Sequence, residues 1–221
     1  MSNFKPQIEK TVYLLRHGQS VDNAAPVFQA ESSPLSEKGI KQAEDMAKRI
    51  SKISFDTLIA SPILRTKQTA EIITKSTRKE VEFSELFVER IKPKNLYGKP
   101  YTDVKANELW RNWEESMFTE GMKIEDGENF DDLMVRAEKA LDFLKNRPEK
   151  SLVVVTHGFF IRTLVIRVLF GNLLNGELFK SSRSRMLIEN TGLTVIQYRD
   201  NFEEELSWRL WIYNDHAHLG G

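Results

Sequence analysis

The sequence predicts a mainly parallel β-sheet flanked by helices, folded as one domain of 221 residues. Short apolar runs alternate along the chain with segments whose apolar residues recur every three to four positions, the pattern of βα units. No internal repeat, low-complexity tract or linker interrupts that alternation, so no domain boundary falls between residues 1 and 221. Composition agrees: 40% of residues are hydrophobic and 29% charged. A chain of this length buries roughly 70% of the surface its unfolded form exposes, so it needs no metal or disulfide staple.

The first apolar run, residues 11–15, reads as a strand. Ser36 then stands as the N-cap of a helix carrying Ile40, Ala43, Ala47 and Ile50 on one face. A second strand covers 57–60, and Ser61 and Pro62 read as cap and first position of a helix running to about Thr74. Residues 81–87 read as a third strand. Phe130, Leu133, Ala137, Ala140, Leu141 and Leu144 mark an amphipathic helix ended by Pro148. Residues 152–155 are uninterruptedly apolar, as a strand buried on both faces should be. The helix after them is apolar nearly all round and stops near Gly171. Residues 193–198 and 208–213 are further strands, the second at an edge. The stretch 92–128 breaks the alternation: a polar, aromatic-rich insertion with one helical pattern in Leu109, Trp110, Trp113 and Met117.

Charge and composition exclude several classes. Lys plus Arg (32) equals Asp plus Glu (32), so no bulk field draws nucleic acid or anionic membranes. The absence of cysteine removes disulfides, thiol chemistry and Cys-ligated metals, and fits a reducing compartment. The polar start MSNFKPQIEK does not read as a signal peptide, and the apolar stretch 159–170 is too short to span a bilayer and is broken by Arg162 and Arg167. The expectation is a cytoplasmic protein with neither nucleic-acid nor membrane partners.

Of four histidines, two share a context. Leu14-Leu15-Arg16-His17-Gly18 and Val154-Val155-Thr156-His157-Gly158 each place a His–Gly pair directly after a buried strand. Carboxyl ends of parallel strands line the ligand crevice of an open α/β sheet, so both imidazoles should face one site. The glycines should let the backbone turn sharply and approach a ligand closely. Arg16 precedes the first histidine, and Arg65 falls in the first turn of the second helix, where free N–H groups already favour an anion. Two guanidiniums and two imidazoles converging on one crevice make a phosphate or sulfate pocket. No HxH or HExxH spacing suggests a metal, and Walker A, GxGxxG, GxSxG and EF-hand patterns are missing. His216 and His218 lie in what should be a frayed tail without function.

The segments LLRHGQS, SPILRTKQTAE, GENFDDLMVR and VVVTHGFFIR resemble, in order and spacing over residues 11–196, the motifs of the histidine phosphatase superfamily, in its phosphoglycerate-mutase-like branch. The resemblance implies a three-layer αβα sandwich around a mostly parallel central sheet. It implies that His17 is the nucleophile forming a phosphohistidine, that Arg16, Arg65 and His157 bind the phosphoryl oxygens, and that Asn23 adds a donor. It aligns Glu89 with the family's proton donor, with Glu85 as the neighbouring candidate. No metal or cofactor is implied, because arginines supply the positive charge.

Departures narrow the expectation. After Glu89 the chain reads Arg-Ile-Lys-Pro-Lys-Asn-Leu-Tyr-Gly, so the ERHYG and GLNK pattern of cofactor-dependent phosphoglycerate mutases is absent beyond its first two letters. The loop 22–34 carries Gln29, Ala30 and Ser32 where the family often has Gly and Asp. The expected activity is therefore metal-independent hydrolysis of phosphate monoesters. The substrates would be small phosphorylated metabolites, with a phosphoprotein as the other possibility. The rivals are phosphoglycerate-mutase-type transfer and a non-catalytic binder of phosphorylated ligands. The insertion 92–128 is expected to cover the active site. Trp110, Trp113, Tyr97, Tyr101 and Phe118 would line a leaving-group pocket, and Lys92, Lys94 and Lys99 would meet a second anionic group; the competing expectation is that Trp110, Trp113 and Met117 pack onto the body. Substrate and oligomeric state are not readable from the sequence.

Overall fold

The computed structural model describes residues 8–119, 121–199 and 207–220. Its elements in chain order are β1 (Ile8–Arg16), α1 (Glu37–Ile50), β2 (Thr57–Ala60), α2 (Leu64–Thr77), β3 (Val81–Phe83), α3 (Val104–Glu115), α4 (Phe130–Asn146), β4 (Ser151–Thr156), α5 (Gly158–Phe170), α6 (Gly176–Arg183), β5 (Leu193–Arg199) and β6 (Trp208–Asp215). The strands form one sheet in the order β3-β2-β4-β1-β5-β6. β1 to β4 pair in parallel; β5 is antiparallel to both β1 and β6, so it alone runs against the rest. The mostly parallel αβα sandwich expected from the sequence is the fold observed.

Strand alternation builds two cores. Val12, Leu14, Ile59, Leu152, Val154 and Ile196 point to one face, where α4, α5 and α6 cover them with residues such as Leu133, Phe160 and Phe179. Leu15, Leu58, Ala60, Val153, Val155 and Val195 point to the other face and meet Met46 and Ile50 of α1 and Ile73 of α2. The insertion packs Leu96, Ala106 and Trp113 against Phe28 of the loop after β1 in a small third cluster.

Capping sets the helix starts. Ser36 accepts from the Gly39 N–H as predicted, and Asn129 and Asp132 form a reciprocal capping box on α4. Gly171, with φ of 52°, ends α5 in a conformation a side chain disfavours.

Several local expectations are corrected. The third strand stops at Phe83, because the Ser84 side chain caps a short 3-10 turn at Glu85–Phe87 and turns the chain toward the sheet's carboxyl end. α2 begins at Leu64, one turn past Ser61, and runs to Thr77; Ser61 serves the site instead. On α1 it is Gly39 and Met46 that are buried beside Ala43, Ala47 and Ile50, whereas Ile40 is exposed. The C-terminal tail is docked, not frayed: it forms a 3-10 turn, Ala217–Leu219, and His218 bonds the Thr191 hydroxyl at 2.9 Å.

Among the described residues no helix is long and apolar enough to cross a membrane.

Candidate active site

The β1–β4 register pairs Leu15 with Val155 and Arg16 with Thr156, so the two His–Gly junctions leave the sheet side by side. The His17 N–H donates to the Thr156 carbonyl (3.0 Å), and the ring centroids of His17 and His157 lie 5.1 Å apart. Both side chains are buried, as is Arg65 of α2, which reaches between them.

Arg65 Nε–H donates to His17 Nε2 (3.1 Å) and Nη2 donates to His157 Nδ1 (3.1 Å). A guanidinium only donates, which fixes both tautomers. His17 carries its hydrogen on Nδ1 and donates it to its neighbour's carbonyl, Gly18 O (2.6 Å). His157 carries its hydrogen on Nε2 and donates to Ser61 Oγ (2.9 Å). Both imidazoles are held neutral well below the usual histidine range, first by burial and then by the Arg65 charge. Burial also lowers Arg65 to about 10, so it remains a cation at neutral pH.

The glycines have a different reason from the one expected. Neither adopts a positive φ. A Cβ on Gly18 would run into the carbonyl of Gly39, where α1 crosses the loop. A Cβ on Gly158 would sit 3.0 Å from Arg16 Nε and 3.1 Å from Ile188 Cγ2, so this glycine lets the Arg16 side chain pass. Arg16 donates through Nη1 to Ile188 O (2.6 Å), and its buried Nε has no hydrogen-bond partner.

Glu89 meets the opening turn of α5. Its Oε1 accepts from the N–H groups of Phe160 (3.1 Å) and Arg90 (3.1 Å), and Oε2 from Phe159 N–H (3.4 Å). The helix N-terminus that could attract a substrate anion is thus met by a carboxylate. Two clefts adjoin Glu89. One, of about 410 Å³, is lined by Arg65, Lys67, Glu31, Glu85 and Tyr97. The other, of about 470 Å³, is lined by Arg16, Arg162, Arg183, Trp110 and Trp113. Gln29, Glu89, Arg90 and Lys92 face both. Lys92 donates to Gln29 O (2.9 Å), and burial lowers it to about 8.

Buried ion pairs hold the Glu89 segment. Arg136 of α4 clasps Glu128 at 2.6 and 2.7 Å and donates to the carbonyls of Leu86, Val88 and Glu89. Arg90 bonds Glu114 (2.6 Å) and the carbonyls of Trp113 and Glu128, with its guanidinium 3.6 Å from the Trp113 ring centroid. Thr156 Oγ1 donates to Phe87 O (2.6 Å), tying the same segment to the end of β4.

Arg16, His17, Arg65, His157 and Glu89 are therefore brought to one strand-end site. Glu85 is exposed on the outer rim of the smaller cleft. Asn23 is exposed in a 3-10 turn, where its Oδ1 accepts from Ser20 N–H (3.3 Å), so its contacts stay within its own loop. Of the insertion's residues, Lys92, Tyr97, Trp110 and Trp113 line the clefts. Lys94 pairs with Asp126 at 3.5 Å, Lys99 is exposed, Tyr101 packs on Phe28, and Phe118 lies beneath Lys180.

Sequence reasoning missed Ser61, Arg90, Glu114, Glu128 and Arg136. A signal existed for two of them: Glu128 and Arg136 are the charged ends of GENFDDLMVR, a motif read without roles for either. Among the described residues no three His, Cys, Asp or Glu side chains are grouped so as to hold a metal ion.

Known proteins resemble this chain in sequence and in fold. The family model for the histidine phosphatase superfamily, branch 1, matches residues 12–210. The probable phosphoglycerate mutase GpmB of Photorhabdus laumondii is 32% identical over 216 residues, covering 94% of each chain. That of Yersinia pestis is 30% identical over 215 residues, again covering 94% of each. Among solved structures, the Entamoeba histolytica phosphoserine phosphatase bound to phosphoserine superposes with a TM-score of 0.73 at 24% identity, over 95% of this chain and 99% of that one. A mycobacterial glucosyl-3-phosphoglycerate phosphatase does so with a TM-score of 0.71 at 21% identity, over 93% and 99%. At these identities the solved structures share the fold. The match to the family model and the named relatives support an activity of the phosphatase or phosphoglycerate-mutase kind. The chain belongs to the histidine phosphatase superfamily, branch 1.

Proposed function

We propose that this protein is a metal-independent phosphatase that hydrolyses monoesters of small phosphorylated metabolites through a phosphohistidine on His17. The observation that carries the reading is the Arg65 bridge, which leaves the His17 Nε2 lone pair facing a guanidinium beside a cleft that Glu89 lines. In the first step Nε2 attacks phosphorus, the P–O bond to the leaving group breaks, and the Glu89 carboxylic acid gives its proton to the departing oxygen. In the second, water attacks phosphorus, Glu89 takes its proton, the P–N bond breaks and inorganic phosphate leaves. Arg16 and Arg65 neutralise charge on the equatorial oxygens, and the neutral His157 adds a hydrogen bond. Glu89 is favoured over Glu85 because it stands where both clefts meet. The insertion 92–128 acts as the cover of the site, with Trp110 and Tyr97 at its rim.

A second reading, phosphoglycerate-mutase transfer, is favoured by the names of the relatives. The missing ERHYG and GLNK residues weigh against it.

One experiment separates the readings: phosphate release and product isomerisation from a metabolite panel, in chelator, for wild type, His17→Ala and Glu89→Gln. Release by wild type with loss in His17→Ala is expected. Glu89→Gln should slow poor leaving groups by about 10²-fold or more while sparing an activated aryl phosphate. Isomerised 3-phosphoglycerate with little free phosphate would establish the mutase, and full activity of His17→Ala would remove the phosphohistidine.

A further inference from the structure

The larger cleft carries more positive charge than phosphoryl binding requires. Its wall presents the cations Arg16, Arg90, Lys92, Arg162 and Arg183 against the carboxylates Glu89 and Glu114. The smaller cleft is nearly balanced, with Arg65, Lys67, Arg90 and Lys92 against Glu31, Glu85 and Glu89. In a chain whose formal net charge is zero, this is a local excess.

The excess can be assigned group by group. Arg90 and Arg183 share the two oxygens of Glu114, at 2.6 and 3.0 Å. Arg162 bonds only carbonyls, Gly158 O at 3.2 Å and Met186 O at 3.4 Å, and forms no ion pair among the described residues. The Nε of Arg183 is buried without a partner. Both guanidiniums are drawn to one ring: Arg183 lies 5.0 Å and Arg162 5.7 Å from the centroid of Phe159, with Arg90 at 5.5 Å. Like charges gathered in a poorly solvated wall repel one another unless an anion arrives. Arg162 is lowered first by burial; attraction to Glu89 offsets part of this, and repulsion from Arg183 adds to it. Arg16 lines the same cleft and repels Arg162, but it is taken up by the phosphoryl group under the proposed function.

We infer that Arg162 and Arg183 form a second anion subsite, so that the preferred substrate is a phosphomonoester whose leaving group carries another anionic group. The inference rests on the site assignment in the proposed function. It replaces the expected role of Lys94 and Lys99, neither of which lines the cleft. A carboxylate and a second phosphate share the chemistry that two guanidiniums recognise.

The test is a pair of matched ligands titrated calorimetrically into full-length His17→Ala. 3-Phosphoglycerate against glycerol 3-phosphate reads a carboxylate; fructose 1,6-bisphosphate against fructose 6-phosphate reads a second phosphate. At least one doubly anionic ligand should bind about tenfold or more tightly than its partner. Adding Arg183→Met or Arg162→Met should bring that ratio toward one, and Arg162→Lys should restore part of it; melting curves check that each variant is folded. Equal binding of both members in both pairs, or variants that weaken the singly anionic ligand as much, would overturn the subsite. Failure of the phosphatase reading is seen separately, as no phosphate release by wild type from any ester, whereas the binding ratio needs no turnover.

Discussion

The two His–Gly junctions have the same dipeptide at the same place on adjacent strands, yet they are built differently. At the first, His17 bonds its own glycine's carbonyl and turns Nε2 to Arg65; at the second, His157 bonds Ser61 and turns Nδ1 to the same guanidinium. Gly18 is small because a helix crosses it, and Gly158 is small because an arginine side chain passes it. Only the second junction opens directly into a helix, and Glu89 sits on that helix's first N–H groups. One motif thus yields two chemically distinct positions, because the neighbours choose the tautomer; the proposed function assigns one the role of nucleophile and the other that of donor.

The largest effect expected from breaking this asymmetry is on turnover. His17→Ala should lose about 10⁴-fold or more in kcat and no longer trap phosphohistidine under an alkaline quench. His157→Ala should lose about 10²-fold and still trap it, since it removes a donor and not the nucleophile. Label lost equally from both would erase the distinction between the rings.

The glycines give a smaller contrast. Gly18→Ala should cost about 1–3 kcal/mol in denaturant unfolding, because backbone must move away from Gly39. Gly158→Ala should leave stability within about 1 kcal/mol, since a side chain can yield, but raise KM by displacing Arg16. Equal destabilisation by the two would mean that the junctions are crowded alike.

The smallest effect is on pH dependence. Unfolded, each imidazole takes a proton near its ordinary value of about 6.5. Folded, both resist it well below that value, so the unfolded chain binds more protons as the pH falls. Stability should be level above about 6.5 and decline below it, and His157→Gln should shallow the decline. Melting temperatures measured from pH 7.5 to 5.0 check this; a flat profile would mean the rings are charged or exposed.

Most of the fold was legible locally. The 152–155 run could only be a buried strand, and Ser36 announced the helix it caps. What local signals misread was punctuation. Ser61 and Pro62 look like a helix start, but Ser61 is held beneath His157 and the helix waits until Leu64. The 81–87 run looks like one strand, but Ser84 bends it after Phe83. His218 looks like frayed tail, but Thr191 fixes it.

A family resemblance pointed to Glu89, with Glu85 as rival, for the acid; the sequence by itself determined the other groups open to the chemistry: two strand-end histidines, Arg16, Arg65 and no thiol. These follow from residue type and short-range spacing, which the chain states directly. Only the tertiary structure decided which nitrogen of each imidazole faces Arg65, that Arg90 and Arg136 clamp the Glu89 segment, and that Arg162 and Arg183 share a wall with Arg16. Those arrangements join residues from distant elements, and their physical basis, burial and mutual charge, comes into being only when the sheet closes the distance.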